Sequence, residues 1–271
     1  MHFVDEGAGP AVLMLHGNPT WSYMYRLPIA RLADDGHRAI ALDHLGCGRS
    51  DKPQDTVYSL KTHLDNLEHV IGAILGDAPF DLVVHDWGGP VGLLYAEQHP
   101  ERIRRIVIMN TVAWSSTHFP KGRYLAKCPF VGAFLVRTLN ILIHIALRRM
   151  PVHPLSKTVE AAYRAPYRTY RDRIAIQRFP QDIPLGPRHP SHALFKQLEN
   201  DLPRLASIPM MALWGEKDFC FPLEFLNHWK TVFPAIAAVR FPNASHFLLE
   251  DEPQAVTSAL CDFLTLQKPE S

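Results

Sequence analysis

Cysteine is scarce in this sequence, and neither sign of charge dominates it. The four cysteines lie far apart and form no C-x-x-C pair, which argues against a disulfide framework or a thiolate metal site. The formal net charge of +1 gives no overall attraction to nucleic acid or to an anionic membrane. We therefore expect reduced thiols, no metal ion, no cofactor and no nucleic-acid partner. A cytoplasmic location fits this cysteine usage.

A leader and a membrane span are also missing from the pattern. The first seven residues carry acids where a signal peptide would have a basic region and then an apolar one. The one long apolar stretch, residues 130–147, is interrupted by Arg137, Asn140 and His144. We expect a buried or substrate-lining helix there rather than a membrane span.

The sequence does contain a regular alternation of apolar strands and amphipathic helices, with 47% hydrophobic residues overall. Buried strands are predicted at 11–15, 38–43, 82–84, 103–109, 209–215 and 238–241. Helices are predicted at 23–32, 60–74, 91–98, 223–232 and 254–266. Strands that alternate with helices indicate an α/β fold with a doubly wound, mostly parallel sheet.

The alternation is interrupted between Trp114 and Leu205, where prolines separate helix-like apolar segments. A stretch of this length should be an inserted structure rather than a loop. We predict a core domain at 1–113 and 206–271 and a helical cap at 114–205. Residues 148–190 carry nine Lys/Arg against three Asp/Glu, which indicates a solvated face or a docking face for an acidic substrate or a partner enzyme.

A sharp turn is predicted around Asp86. The apolar strand before it and the pair Gly88 and Gly89 after it are typical of a nucleophile elbow, with aspartate in the serine position of G-x-S-x-G. A carboxylate that attacks saturated carbon leaves an ester that water can hydrolyse, whereas a serine would leave an ether. The pattern therefore predicts substrates attacked at sp³ carbon: haloalkanes, epoxides or strained lactones. Asp86 as an ordinary helix cap is the alternative.

Two later loops supply partners for this nucleophile. Asp218 follows one predicted strand and His246 follows the next, so the chain order is nucleophile, acid, histidine, as in α/β-hydrolases. Glu216 and Asp43 compete with Asp218 for the acid position, and Asp43 is better explained as a loop-organising carboxylate.

A leaving group also needs to be held. The backbone N–H groups of Asn18 and Trp87 occupy the positions of an oxyanion hole, and both side chains also carry N–H donors. Two convergent donors suit a departing halide or carboxylate. We expect His16 and His85, which flank apolar strands, to support the site from behind.

Three motifs together resemble the haloalkane dehalogenases of the α/β-hydrolase superfamily: HGNPTWS at 16–22, DHLGCGRSDKP at 43–53 and HDWGGP at 85–90. The resemblance implies an α/β-hydrolase fold with Asp86 as nucleophile, His246 as base, and Asn18 with Trp87 as the halide pair. One branch of that family carries its acid at the position of Asn110. Since an amide cannot serve as the acid, this chain resembles the branches that place it later, at Asp218.

Other segments are similar to the β-lactone decarboxylases of bacterial long-chain olefin biosynthesis: APY at 165–167, QDIP at 181–184 and WGEKDF at 214–219. Those enzymes are expected to use the same residues on a cis-β-lactone with long alkyl arms. Our leading hypothesis is hydrolytic dehalogenation, in which a small apolar haloalkane and water give alcohol and halide. β-Lactone decarboxylation is the first alternative.

Two further alternatives stay open at this point. Epoxide hydrolysis would need phenol donors from the cap, and the candidates are Tyr124, Tyr163, Tyr167 and Tyr170. A non-catalytic subunit of a biosynthetic assembly would keep the fold without its chemistry.

Overall fold

The computed structural model describes residues 1–116 and 127–265. Seven strands form one sheet in the order β1-β3-β2-β4-β5-β6-β7, in which only β1 runs antiparallel to its neighbour. The strands are β1 (Phe3–Glu6), β2 (Ala11–Leu15), β3 (Arg38–Leu42), β4 (Phe80–Asp86), β5 (Ile103–Thr111), β6 (Met210–Gly215) and β7 (Ala237–Phe241). The predicted α/β-hydrolase architecture is therefore confirmed at the level of the sheet.

Helices cover both faces of this sheet. The helices before the interruption are α1 (Arg26–Asp34), α2 (Leu60–Leu75) and α3 (Gly88–Gln98). Those between β5 and β6 are α4 (Pro129–Gly132), which continues into a π-helix (Ala133–Thr138), α5 (Ile141–Arg149), α6 (Lys157–Arg164), α7 (Ile174–Asp182) and α8 (His192–Asp201). The last three are α9 (Leu223–Val232), α10 (Leu248–Asp251) and α11 (Pro253–Thr265). Short 3₁₀ turns lie at Ser22–Tyr25, Pro100–Arg102, Arg171–Arg173 and Leu202–Leu205.

The central strands are buried on both faces, which explains their continuous apolar runs. Successive residues of β2 point to opposite sides, so that Leu13 and Leu15 join one apolar cluster while Val12 and Met14 join the other. Each cluster fills the space between the sheet and one layer of helices. The sheet is thereby fixed as a rigid support whose carboxyl edge carries the loops.

Two helix boundaries differ from the prediction. The helix predicted at 23–32 is a 3₁₀ turn followed by α1. The helix after β4 begins at Gly88 rather than at residue 91, because Pro90 is tolerated in a first turn, where its missing N–H has no partner to lose.

Residues 114–205, called the inserted segment below, contain only helices and turns in their described part. No single described helix is long and apolar enough to cross a membrane. By length and composition alone, one bent pair could: Phe130–Thr138 with Ile141–Arg149, which meet at 61°.

Candidate active site

Asp86 lies at a strained turn between β4 and α3. Its φ angle of 50° is in the left-handed region, which is costly for a residue with a side chain. The turn is possible because no Cβ intervenes at its neighbours: a Cβ on Gly88 would collide with the carbonyl of Leu15, and one on Gly89 with the side chain of Thr111. The Thr111 hydroxyl also donates to the Asp86 carbonyl over 2.6 Å.

The loop after β2 approaches the Asp86 carboxylate from the other side. The backbone N–H of Asn18 donates to Asp86 Oδ1 over 2.7 Å. A Cβ on Gly17 would occupy the space of that carboxylate, so glycine at position 17 is what lets the loop come this close. One oxygen of the buried carboxylate is therefore held by backbone.

The second carboxylate oxygen faces the predicted histidine. His246 Nε2 lies 3.8 Å from Asp86 Oδ2, and His246 Nδ1 lies 2.8 Å from Asp218 Oδ2. All three side chains are buried. Asp86, His246 and Asp218 are thus brought together in the spatial order of a catalytic triad.

The Asp218 carboxylate is fixed by several hydrogen bonds that the sequence did not predict. Burial alone would raise the pKa of Asp218, but the charge and hydrogen bond of His246 and backbone N–H groups of Cys220 and Phe221 lower its pKa overall. The Cys220 N–H donates to Asp218 Oδ1 over 2.6 Å. Asp218 is therefore held as an anion that fixes the tautomer of His246.

Asn110 is the residue whose role sequence reasoning missed. It is the penultimate residue of β5, with a φ angle of 29°, and its amide nitrogen donates to Asp218 Oδ2 over 3.0 Å. The same amide bonds both backbone groups of Gly215, accepting from the N–H over 2.8 Å and donating to the carbonyl over 3.1 Å. A residue that cannot be the acid thus positions the acid. The position of Asn110 after a predicted strand was the sequence signal from which this positioning role could have been predicted.

Three buried polar residues support the site from behind. Burial, with a smaller contribution from the charge of His246, lowers the pKa of His85 to about 3, and His85 Nε2 lies 2.9 Å from the His246 carbonyl. Burial likewise lowers the pKa of His16, whose Nε2 accepts from the His44 N–H over 3.0 Å. Asp43 accepts backbone N–H groups of Ser22 over 2.8 Å and of Arg49 over 2.9 Å. These contacts agree with the supporting roles predicted for His16, His85 and Asp43.

The predicted leaving-group pair lines the same cavity as the nucleophile. Asn18, Trp87 and Asp86 all border a chamber of about 310 Å³. The side-chain amide of Asn18 donates to the Ile176 carbonyl over only a long 3.4 Å, and no described residue bonds its Oδ1. The Asn18 side-chain amide therefore makes one long hydrogen bond among the described residues and borders the larger chamber.

A second chamber, of about 70 Å³, meets the first at Asp86 and Trp87. Its lining is largely apolar and includes Trp114, Phe195 and Phe225. The larger chamber is lined by residues of the inserted segment, among them Leu142 and Ile145. Two largely apolar chambers therefore share one carboxylate, that of Asp86, as a lining group.

The three described tyrosines of the inserted segment line neither chamber. The Tyr163 hydroxyl donates to Glu250 and the Tyr167 hydroxyl to the Thr20 carbonyl, while Tyr170 stacks under Arg137. The fourth candidate, Tyr124, lies outside the described residues. The hydroxyls of Tyr163 and Tyr167 are thus bonded elsewhere, and none of the three described phenols reaches the chambers as epoxide hydrolysis would need.

Asp218, Cys220 and His246 place metal-ligand atoms within 4.8 Å of one another. Two of these three residues belong to the triad geometry and already bond each other. Among the described residues, these three side chains are the cluster whose ligand atoms lie close enough together to bind a metal ion.

The fold and this site together define an α/β hydrolase: a family model described as the alpha/beta hydrolase fold matches residues 10–128. Among curated proteins, the chain is 37% identical to a cis-3-alkyl-4-alkyloxetan-2-one decarboxylase of Shewanella oneidensis, over 98% of this chain and 85% of the relative. A protein of the same name from Xanthomonas campestris pv. campestris is 34% identical, over 97% and 92% of the two chains. Haloalkane dehalogenase 2 of Mycobacterium bovis is 32% identical, over 97% and 90%.

Solved structures lead to the same group. The haloalkane dehalogenase DatA of Agrobacterium tumefaciens superposes with a TM-score of 0.86 at 27% identity, covering 97% of this chain and 92% of that one. The chain therefore belongs to the haloalkane dehalogenase family of α/β hydrolases, in the branch that also contains the cis-3-alkyl-4-alkyloxetan-2-one decarboxylases.

Proposed function

We propose that Asp86 attacks a saturated carbon and forms an alkyl ester, with His246 as base, Asp218 as the acid that orients it, and Asn18 with Trp87 as the leaving-group site. The observation that carries this proposal is the placement of Asp86: a buried carboxylate at a strained turn, 3.8 Å from His246 Nε2 and open to two apolar chambers. A carboxylate that only capped α3 would not need a histidine on its second oxygen.

The two oxygens of Asp86 have different tasks. Oδ2, on the histidine side, is the oxygen that attacks. Oδ1, which accepts the Asn18 N–H, becomes the carbonyl oxygen of the ester. When water adds to that ester, the same N–H stabilises the charge that develops on Oδ1, which is the task of an oxyanion hole.

With a haloalkane, the reaction is a hydrolysis in two displacements. Asp86 Oδ2 bonds to carbon while the carbon–halogen electron pair leaves with the halide, held by Asn18 and Trp87. Water then adds to Asp86 Cγ and gives a proton to His246. The alkyl oxygen leaves with that proton as an alcohol, so water and haloalkane become alcohol, halide and a proton.

With a disubstituted β-lactone, the same attack needs no water. Asp86 Oδ2 bonds to the alkyl carbon of the ring while the ring oxygen leaves as a carboxylate. Loss of CO₂ from the adjacent carbon then forms the double bond and expels the Asp86 carboxylate. One lactone thus gives one alkene and one CO₂, and the enzyme is regenerated.

The two chambers favour the lactone as the first substrate to test. A cis-disubstituted β-lactone carries two alkyl arms on neighbouring carbons, and the two apolar chambers meet at Asp86 and Trp87. The two relatives of 37% and 34% identity bear the decarboxylase name. Haloalkane hydrolysis by the same residues is the alternative, supported by the 32% identical dehalogenase and the solved structures.

Parallel assays on one enzyme preparation separate the two reactions. A synthetic dialkyl β-lactone should give alkene and CO₂ by gas chromatography, and a 1-haloalkane should release halide. In ¹⁸O-water, a single turnover of haloalkane should label the Asp86 carboxylate, because water attacks the ester carbonyl. Decarboxylation should leave it unlabelled. Turnover of either substrate by Asp86→Asn at the wild-type rate would refute the nucleophile assignment.

We also propose that the inserted segment is a cap that closes the cavity above Asp86. Residues of α5 and α7 line the larger chamber, and the segment bonds the loop after β2 through Ile176.

The spacing of cysteines, with no C-x-x-C pair, supports a cytoplasmic setting for the reaction.

A further inference from the structure

The inserted segment presents an apolar surface to solvent beside the larger chamber. We call it the hairpin face; it comprises the exposed side chains of the bent helix pair, Phe130, Val131, Phe134, Leu139 and Ile145. Phe130 is 90% exposed and Phe134 57% exposed. Contiguous large apolar side chains in water are uncommon unless they meet a partner or a membrane.

The hairpin face and its sequence neighbours are basic, and Glu160, whose carboxylate lies near Arg148, is paired with Arg164. Residues 127–159 contain five Lys/Arg and no Asp/Glu. Arg148 and Arg149 are exposed at the end of α5, and Tyr170, 46% exposed, stacks against the Arg137 guanidinium at 4.0 Å. Apolar side chains flanked by arginines and a tyrosine are the composition of a segment that lies in a lipid headgroup region.

The hairpin face is continuous with the wall of the larger chamber. Ile145 is 47% exposed and also lines that chamber, together with Arg149. A ligand leaving an acyl-chain environment at this face would therefore pass along α5 into the cavity without crossing bulk water.

We propose that the hairpin face docks the protein onto an anionic lipid bilayer. Phe130, Val131 and Phe134 would enter the boundary between headgroups and acyl chains, and Arg148 and Arg149 would pair with lipid phosphates. The exposed Arg148 and Arg149 beside these apolar side chains favour a phospholipid surface over an apolar protein groove, because cations are attracted to an anionic membrane. Delivery of an apolar substrate from the bilayer to Asp86 follows, and this second part rests on the proposed function.

Vesicle flotation without substrate tests the docking itself. The full chain should float with vesicles of phosphatidylcholine containing about one-third phosphatidylglycerol, and far less with phosphatidylcholine alone. The double variant Phe130→Asp, Phe134→Asp should lower the partition coefficient by about tenfold or more, because two aromatic side chains lose their apolar contact. Arg148→Glu with Arg149→Glu should remove the preference for anionic vesicles.

The matched control is Leu27→Asp, an exposed apolar residue of α1 (39% exposed) outside the inserted segment, which should float like the wild type. Circular dichroism must show that all variants are folded. Absence of flotation by the wild-type protein would overturn the proposal. So would a dimer that the Phe130 and Phe134 substitutions dissociate, because a second copy would then cover the face.

Turnover separates docking from delivery. The Phe130, Phe134 variant should convert a short, water-dissolved substrate at the wild-type rate and a long-chain substrate embedded in anionic vesicles at least several-fold more slowly. An equal loss of turnover rate on both substrates would overturn the proposal of substrate delivery from the bilayer. The docking proposal would then be decided by vesicle flotation alone. Absence of turnover on either substrate by the wild type would instead count against the proposed function.

Discussion

The carboxyl edge of the sheet and the inserted segment differ in how their polar groups are satisfied. At the edge, Asp86 and Asp218 accept hydrogen bonds from backbone and side chain, and Asn110 links two strand ends. The inserted segment instead offers the cavity apolar walls and turns large apolar side chains outward. The edge therefore holds buried charges in fixed positions, whereas the segment contributes apolar walls to the cavity.

The largest effect is expected at the sheet edge. His246→Ala should form the ester with a haloalkane, release one halide per enzyme and then stall, because no base delivers water; kcat should fall about 10⁴-fold or more. Rapid-quench halide assay measures the burst. Continued turnover beyond one equivalent would show that His246 is not the base.

The next largest effects are expected for Asp218 and for Asn110, which donates a hydrogen bond to it. Asp218→Asn should lower kcat by about 10³- to 10⁴-fold, since a neutral amide no longer fixes and stabilises the imidazole. Asn110→Ala should lower kcat by about 10- to 100-fold, which is a loss of ~1–3 kcal/mol for leaving a buried acceptor short of its donor. Steady-state kinetics check both. If Asn110→Ala lowered only the melting temperature, the link between β5 and β6 would be structural alone.

Substitutions in the chamber walls should act on substrate length instead. Leu142→Trp narrows the larger chamber and should raise KM about tenfold for a β-lactone with two long arms, the equivalent of losing ~1.4 kcal/mol of binding. A short haloalkane should be affected far less. Val112→Phe is the matched change in the smaller chamber. Equal effects on long and short substrates would mean that the two chambers do not hold separate arms.

The smallest effect is expected for a buried carboxylate outside both regions that has no hydrogen-bond partner among the described residues. Glu97 on α3 is buried, no described group bonds either oxygen, and burial with the nearby charge of Asp201 raises its pKa to about 9. The unfolded chain releases this proton near the ordinary pKa of 4.5, so Glu97 destabilises the fold progressively as pH rises from that value to about 9.

Glu97→Gln should therefore raise the melting temperature more at pH 8 than at pH 5, as calorimetry can measure. Glu101→Gln, at an exposed carboxylate nearby, is the control and should change little at either pH. An identical shift at both pH values would mean that Glu97 is ionised in the folded protein.

The sequence predicted the sheet edge better than the inserted segment, for a physical reason. Buried parallel strands leave long apolar runs, and the glycines at 17, 88 and 89 are each required by a close approach that no side chain allows. The apolar runs and the glycines can be read directly in the sequence, although the contacts that require the glycines join distant segments, such as Gly17 with Asp86. The chain order of Asp86, Asp218 and His246 was the basis for predicting a triad, and these three side chains lie next to one another in the structure.

Other features depend on contacts between distant segments and leave no local pattern. The amide of Asn110 has meaning only because Asp218 and Gly215 lie beside it, more than 100 residues later in the chain. The larger chamber takes wall residues from α5 and α7 and the smaller one takes Phe195 from α8, which depends on where these helices lie relative to Asp86. The exposure of Phe130 likewise depends on where the bent helix pair lies. Spacing of residue types does not encode these positions.

The inserted segment is fastened to the core at more than one place. The Tyr163 hydroxyl and the Val152 N–H donate to Glu250 and Asp251 of α10, and a second set of contacts lies at the loop after β3 and the start of α2. The Tyr167 hydroxyl joins Gly48 and Thr20, the Asp182 carboxylate accepts the Leu60 N–H over 2.6 Å, and a Cβ on Gly46 would strike Ala175. These last contacts lie at α2 and the loops after β2 and β3. None of them involves the exposed apolar side chains of the bent helix pair. With contacts to the core at both places, the segment should stay seated while a bulky substrate enters, so the chamber walls rather than lifting of the segment should limit which substrates fit.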